Sequence, residues 1–209
     1  MKQSSTYGAT YGIIGYLGGN GTVKNLGIEN MSVPAGTASR FCIGGIAGTL
    51  GAGITIENCY VRGMTVTAAP SGTDKTTYVG GISGRTVGNA GLIKNCYTTS
   101  LNFTGVTNQY NTAGLLGSSG NTGYKAENCY TLHSKTQGNT SATNSYMSAT
   151  NTYASSTIAD ATVEALGSAF KADSKGNNGG YPLLSWESTE GYELKEEEKE
   201  KRNGDYSFL

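Results

Sequence analysis

The sequence predicts an all-β solenoid, a parallel β-helix of about four repeats with three short strands per coil and a C-terminal cap. Three observations carry this expectation. A Gly-x-x-Gly element recurs at Gly12 to Gly15, Gly45 to Gly48, Gly81 to Gly84 and Gly114 to Gly117. A second element, centred on an asparagine, follows ten or eleven residues after each. The composition is rich in turn and β-branched residues, whereas helical repeats of similar period need apolar spacing of 3.6 residues. The second glycines of the four elements lie 33, 36 and 33 residues apart.

Of 209 residues, 32 are Gly and only 3 Pro, and Tyr outnumbers Phe 14 to 4, which means many tight turns and a polar surface. The 15 basic and 15 acidic residues cancel, so no global field draws the chain to nucleic acid or to an anionic membrane, and neither is expected as a partner. Residues 1–10 (MKQSSTYGAT) read as a lead-in without the apolar run of a signal peptide, and no stretch approaches the roughly 20 apolar residues of a membrane span. If the protein works outside the cell, its leader has been removed or this is a piece of a larger chain.

Residues 11–145 are expected to form the β-helix, and its phase is counted from the asparagine of each unit. The units read Lys24-Asn25-Leu26, Glu57-Asn58-Cys59-Tyr60, Lys94-Asn95-Cys96-Tyr97 and Glu127-Asn128-Cys129-Tyr130. Apolar residues lie two before the Asn (Val23, Ile56, Ile93, Ala126) and one after it (Leu26, Cys59, Cys96, Cys129). That interval is odd, so a straight strand would place the two on opposite faces. The chain must therefore turn at Asn25, Asn58, Asn95 and Asn128, a residue type that tolerates the left-handed conformation. A second odd interval, between Ile28, Val61, Thr98, Thr131 and the later Met31, Met64, Leu101, Ser134, marks a second corner.

Stacked coils turn equivalent positions into ladders. Lys24, Glu57, Lys94 and Glu127 alternate in sign along the axis, each exposed pair contributing about 0.2–1 kcal/mol and favouring correct register. Cys59, Cys96 and Cys129 are expected to face inward as free thiols acting as small apolar fillers, since three in one column cannot all pair. Tyr60, Tyr97 and Tyr130 are expected outward, as an aromatic stack and candidate contact face.

The fourth unit loses core residues at Ser134 and Thr136, and the solenoid is expected to end in the Ser/Thr/Asn-rich stretch that follows. An open end invites edge pairing, so residues 146–187 read as a cap, with a short helix within 160–170 and a final apolar strand within 179–186. Residues 188–209, with the run KEEEKEKR, read as a charged tail or linker.

The stretches GIIG, GIAG, GISG and GLLG, each followed by the asparagine element, resemble the GLUG-motif repeats of bacterial cell-surface and adhesin-type proteins. ALGSAF and NNGGYPLLSWE resemble the segment that closes such arrays, so the likeness covers about residues 11–187. It implies a right-handed parallel β-helix on the outer surface, a hand that also matches the preference of parallel crossovers.

Fold alone does not carry function, so the chemistry must be sought in residues. Between 11 and 145 the only acids are Glu29, Glu57, Asp74 and Glu127, too dispersed for the clustered carboxylates of a polysaccharide lyase or hydrolase. His133 follows Cys129 by four residues without a third ligand or orienting acid, and reads as a surface histidine. Thr65-Val66-Thr67 is not repeated in the other coils, so no ice-binding threonine ladder is expected. No catalytic, cofactor or metal residue is expected. The expected function is a non-enzymatic, secreted or cell-surface module for adhesion or assembly, partnering a host or bacterial surface protein, a glycan or itself. The alternatives are a carbohydrate-binding or carbohydrate-active β-helix and a self-assembling fibre subunit.

Overall fold

The computed structural model describes residues 2–5, 8–34, 40–67, 76–104, 112–119, 123–132, 135–136, 148–155 and 162–188. After β1 (Lys2–Ser5), the first coil runs through β2 (Gly8–Tyr11), β3 (Ile14–Leu17), β4 (Thr22–Lys24), β5 (Gly27–Glu29) and β6 (Ser32–Val33). The second holds β7 (Arg40–Gly44), β8 (Ala47–Leu50), β9 (Ile54–Glu57), β10 (Tyr60–Arg62) and β11 (Thr65–Thr67). The third holds β12 (Thr76–Gly80), β13 (Ser83–Thr86), β14 (Gly91–Lys94), β15 (Tyr97–Thr99) and β16 (Asn102–Thr104). The fourth holds β17 (Thr112–Ala113), β18 (Leu116–Ser119), β19 (Tyr124–Leu132) and β20 (Lys135–Thr136). Beyond them lie β21 (Ser148–Ser155), the short helix α1 (Val163–Leu166), β22 (Phe170–Lys171) and β23 (Leu183–Leu184).

Like strands of successive coils pair in parallel, giving an all-β solenoid. Each of the first three coils has five strands, where the sequence predicts three. The extra breaks fall in the glycine-rich part of the unit. The chain bends inside each Gly-x-x-Gly element, and it turns again at Gly19, Gly53 and Ala90, all at positive φ (77°, 71° and 61°). What reads as one strand is therefore three.

The asparagine corners adopt the left-handed conformation, with φ of 56°, 53°, 50° and 49° at Asn25, Asn58, Asn95 and Asn128. The second corner, five residues on, has positive φ at Asn30, Gly63 and Ser100. Between these bends the inward positions build one core. Ile56, Ile93 and Ala126 stack with Val61, Met64, Leu101, Val66 and Phe103, all buried.

The glycine elements make close stacking feasible. A Cβ on Gly48, Gly84 or Gly117 would stand within 3 Å of backbone atoms of Tyr11, of Cys42 and Tyr78, or of Val79. A Cβ on Gly45 or Gly81 would come to 2.7 Å from a methyl of Val61 or Thr98 across the interior. Only glycine fits where backbone approaches backbone this closely.

Two departures concern the C-terminal part. β21 pairs in parallel with β19, with Glu127 opposite Thr150 and Tyr130 opposite Tyr153. Residues 148–155 are thus a further rung of the solenoid, where they were expected in the cap. The helix, in turn, takes up only 4 residues of the 160–170 stretch: the Thr162 side chain accepts from the Ala165 N–H at 3.1 Å, capping α1. The antiparallel pair β22 and β23 completes a small unit.

Candidate functional site

The tyrosine column stands in register, Tyr60 beside Tyr97 and Tyr97 beside Tyr130. The Tyr60 and Tyr97 rings stack with centroids 5.1 Å apart and planes 8° from parallel. They point out of the coil, as the odd interval demands, but they do not meet solvent. Tyr60, Tyr97 and Tyr130 are 1%, 0% and 7% exposed, packed with Leu166, Phe170 and Leu184 in a second apolar cluster separate from the interior. This corrects the expectation of an open contact face. An outward stack of aromatic rings is itself a large apolar surface, and the protein's own 162–187 segment buries it.

Polar contacts fix the fit. Tyr181 lies over Tyr97 at 6.1 Å and 20°, and Phe170 meets the same ring tilted at 5.9 Å. The Tyr97 hydroxyl donates to the Pro182 carbonyl at 2.6 Å and accepts from Asn178 Nδ2 at 2.7 Å. The Tyr60 hydroxyl lies 2.7 Å from Glu187 Oε1 and 3.0 Å from Glu29 Oε1, so two carboxylates share one proton donor. Arg62 Nη2 donates to Glu29 Oε2 at 2.8 Å, and Glu187 Oε2 accepts from the Leu184 N–H at 2.6 Å. Burial pushes both phenols well above the ordinary tyrosine value, and at Tyr60 the hydrogen bond and charge of Glu187 push the same way.

Two more contacts hold the segment. Burial acts to raise the Asp173 carboxyl, but backbone N–H groups of Gly180, Asn178, Asn177 and Gly176 outweigh it and hold it below the usual carboxylate value. Trp186 Nε1 donates to the Asn25 carbonyl at 3.2 Å, so the segment reaches from the third coil back to the first. The register explains the room there, because Gly27 takes the tyrosine position in the first coil and a Cβ would strike the Tyr60 ring.

The asparagines do more than turn the chain. Asn58 Nδ2 donates to Asn25 Oδ1 at 3.3 Å, Asn95 to Asn58 at 3.0 Å and Asn128 to Asn95 at 3.3 Å, forming an amide ladder along the corner. Cys59, Cys96 and Cys129 face the interior as free thiols and each donates to the carbonyl two residues earlier, at 3.1, 3.1 and 3.2 Å. Burial pushes the Cys96 thiol well up, away from nucleophilic or metal-binding thiolate. Cys42 lies outside that column, buried in β7, and burial raises it as well.

The charge ladder stands in register, Lys24 beside Glu57, Glu57 beside Lys94 and Lys94 beside Glu127. Within it, only Lys94 and Glu57 come to ion-pair distance, at 4.0 Å, which fits a role in register more than in binding energy. His133, Ser134 and the 188–209 tail beyond Ser188 lie outside the described residues. So does the side chain of Thr136.

Reading the sequence missed Glu29, Arg62, Asn178, Trp186 and Glu187. The available signal was the apolar YPLLSW run, which had to bury itself somewhere, and the preference of Tyr for sites with an apolar body and a polar tip.

Stacked coils with asparagine corners and a glycine-paired strand break define a β-solenoid repeat protein. The family model for the GLUG motif matches residues 39–67, the second unit, so the chain carries the GLUG repeat, found in bacterial surface-type proteins. No curated protein and no solved structure matches. Among the described residues, no helix is long and apolar enough to cross a membrane.

Proposed function

We propose that the protein is a non-enzymatic structural module on the outside of a bacterial cell, a stiff solenoid that displays a polar face to a surface protein or glycan. The carrying observation is how the chemically capable side chains are used. The thiols bond to carbonyls, Glu29 and Glu187 bind Tyr60, and the tyrosines are sealed under the 162–187 segment. Among the described residues, a polar face left open to a partner is the outer side of the β6, β11 and β16 sheet. There Ser32, Thr65 and Asn102 stand in register, as do Thr67 and Thr104, and all but the half-buried Thr65 are exposed. Thr67 and Thr104 bond to the Val33 and Val66 carbonyls of the preceding coil, at 3.4 and 3.2 Å, which holds their hydroxyls in a fixed array. Flat stacked arrays of this kind are the contact surfaces of solenoids. The GLUG repeat supports the surface location.

The test pairs solid-phase binding to bacterial polysaccharides and host matrix proteins with a turnover assay on the same glycans. Binding that Asn102→Arg and Thr67→Arg abolish, without product release, is the expected result. Product release, or binding indifferent to both substitutions, overturns the proposal. Protease treatment of intact cells tests location, since a surface module must be cleaved while cytoplasmic markers survive.

A further inference from the structure

The first coil carries apolar residues that the later coils bury. Ile13 is 53% exposed, whereas Ile46, Ile82 and Leu115, its counterparts in the Gly-x-x-Gly element, are fully buried. Tyr16 is 38% exposed, and its register partner Thr49 is buried. All six partly buried residues at the margin of the interior core, Tyr11, Ile14, Leu17, Val23, Leu26 and Met31, belong to this coil. Among the described residues, three sheets also end here on a strand edge with no further strand, at β3, at β4 and β5, and at β6. The fourth is closed by β1, antiparallel on β2.

We infer that this end face docks the C-terminal rung of a second copy of the chain, head to tail. It goes beyond the proposed function, and its test does not depend on any external ligand. Continuity of the ladders selects the occupant. At the opposite end of the same sheet, β21 is the outermost strand and repeats the register of the coils, with Thr150 after Glu127 and Tyr153 after Tyr130. Asn151 lies between Thr150 and Thr152, which pair with Glu127 and Cys129, so it takes the asparagine position.

The amide ladder is polar, each later coil donating to the earlier one, so Asn25 accepts from Asn58 while its own Nδ2 has no acceptor among the described residues. A preceding rung with an asparagine at that register position continues the column. Charge agrees. Lys24 is the last residue of its charge ladder and comes into register with neutral Thr150 in a head-to-tail contact, whereas joining two first-coil faces brings two Lys24 side chains to one interface. The two contacting surfaces differ, so the contact is heterologous and does not close on itself; it propagates along the axis.

Sedimentation velocity and light scattering over a wide concentration series test this with two variants. Ile13→Lys/Tyr16→Glu breaks the first-coil face. Thr150→Lys sets a cation against the incoming Lys24, yet keeps the internal alternation because its own neighbour is Glu127. Circular dichroism melts confirm that both fold. The wild-type chain should grow with concentration beyond a dimer. Each variant alone should associate at least about tenfold more weakly. Their mixture should stop at a heterodimer, joined through the one intact face that each retains. A wild-type chain that stays monomeric throughout overturns the inference. So does Thr150→Lys self-associating as strongly as wild type, which would mean first-coil faces meeting each other.

Discussion

The described residues form two apolar cores, and they are built on different plans. The interior core is assembled from repeated positions, the second and third coils each adding an isoleucine, a cysteine, a valine or threonine and a methionine or leucine at fixed distances from an asparagine. The flank core pairs one repeated column, the tyrosines, with a segment that repeats nothing, residues 162–187. In the first, register decides everything, and an error in one coil is an error in all. In the second, a single stretch of chain must find one surface, and local hydrogen bonds to Tyr60 and Tyr97 decide its place.

If the cores differ in this way, the most damaging substitution is one that pushes coils apart. Gly84→Val places a Cβ against the backbone of Ile43, Cys42 and Tyr78, where no side chain can move aside, and should cost about 3 kcal/mol or more. Gly21→Ala is the control, since its nearest neighbour lies 3.7 Å away, and should change stability by no more than about 0.5 kcal/mol. Thermal denaturation reads both, and equal effects would contradict the role given to close coil contact.

Tyr97→Ala attacks the flank core instead. It removes the ring between Tyr60, Phe170 and Tyr181 together with the two hydrogen bonds of its hydroxyl, for about 3–5 kcal/mol. Hydrogen exchange sharpens the comparison. Protection should fall across 163–187 while Gly91–Lys94 keeps most of its own. Uniform loss would show that the two cores melt as one unit.

Alkaline pH should also separate them. The Tyr60 and Tyr97 phenols are raised by burial, so the folded chain keeps protons that the unfolded chain releases above about pH 10. Their contribution is complete below that pH and declines above it, by about 1.4 kcal/mol per pH unit for each tyrosine held neutral. Tyr60→Phe should shallow that slope. A slope unchanged by this substitution would mean that Tyr60 ionises freely in the folded protein.

The smallest expected effect divides a single corner into its causes. Asn95→Ala loses both ladder bonds and forces a Cβ residue without an amide into φ of 50°, for about 2–3 kcal/mol, whereas Asn95→Gly loses only the bonds, for about 1–2 kcal/mol. Equal losses on denaturant titration would remove backbone strain from the account.

This contrast also marks what could be read without coordinates. The asparagine corners and the inward cysteines follow from odd intervals between apolar residues, because a pleated strand alternates faces and cannot do otherwise. The tyrosine column was legible as a column but not as a covered one. The alternation rule says which way a side chain points and nothing about what returns to cover it. The cap segment was placed at the open end because that end has unpaired edges. The edges at the first coil remain uncovered in the described structure, and the larger apolar surface, the tyrosines, took the segment. The extra rung was written in Asn151-Thr152-Tyr153, which echoes Asn-Cys-Tyr. It went unread because Thr replaces Cys and the spacing from Asn128 is 23 residues instead of about 33.

The bond from Trp186 to the Asn25 carbonyl has a thermodynamic consequence. A stack of repeats behaves as a one-dimensional lattice in which each unit senses only its neighbours, so fraying can begin at an end and advance step by step. Here the segment that follows the last rung is tied to the first coil through Asn25, to the second through Tyr60 and to the third through Tyr97. Losing the first coil therefore removes contacts made by residues more than 150 positions later in the chain. The lattice acquires a long-range coupling, and fraying of the first coil loosens the 162–187 segment as well.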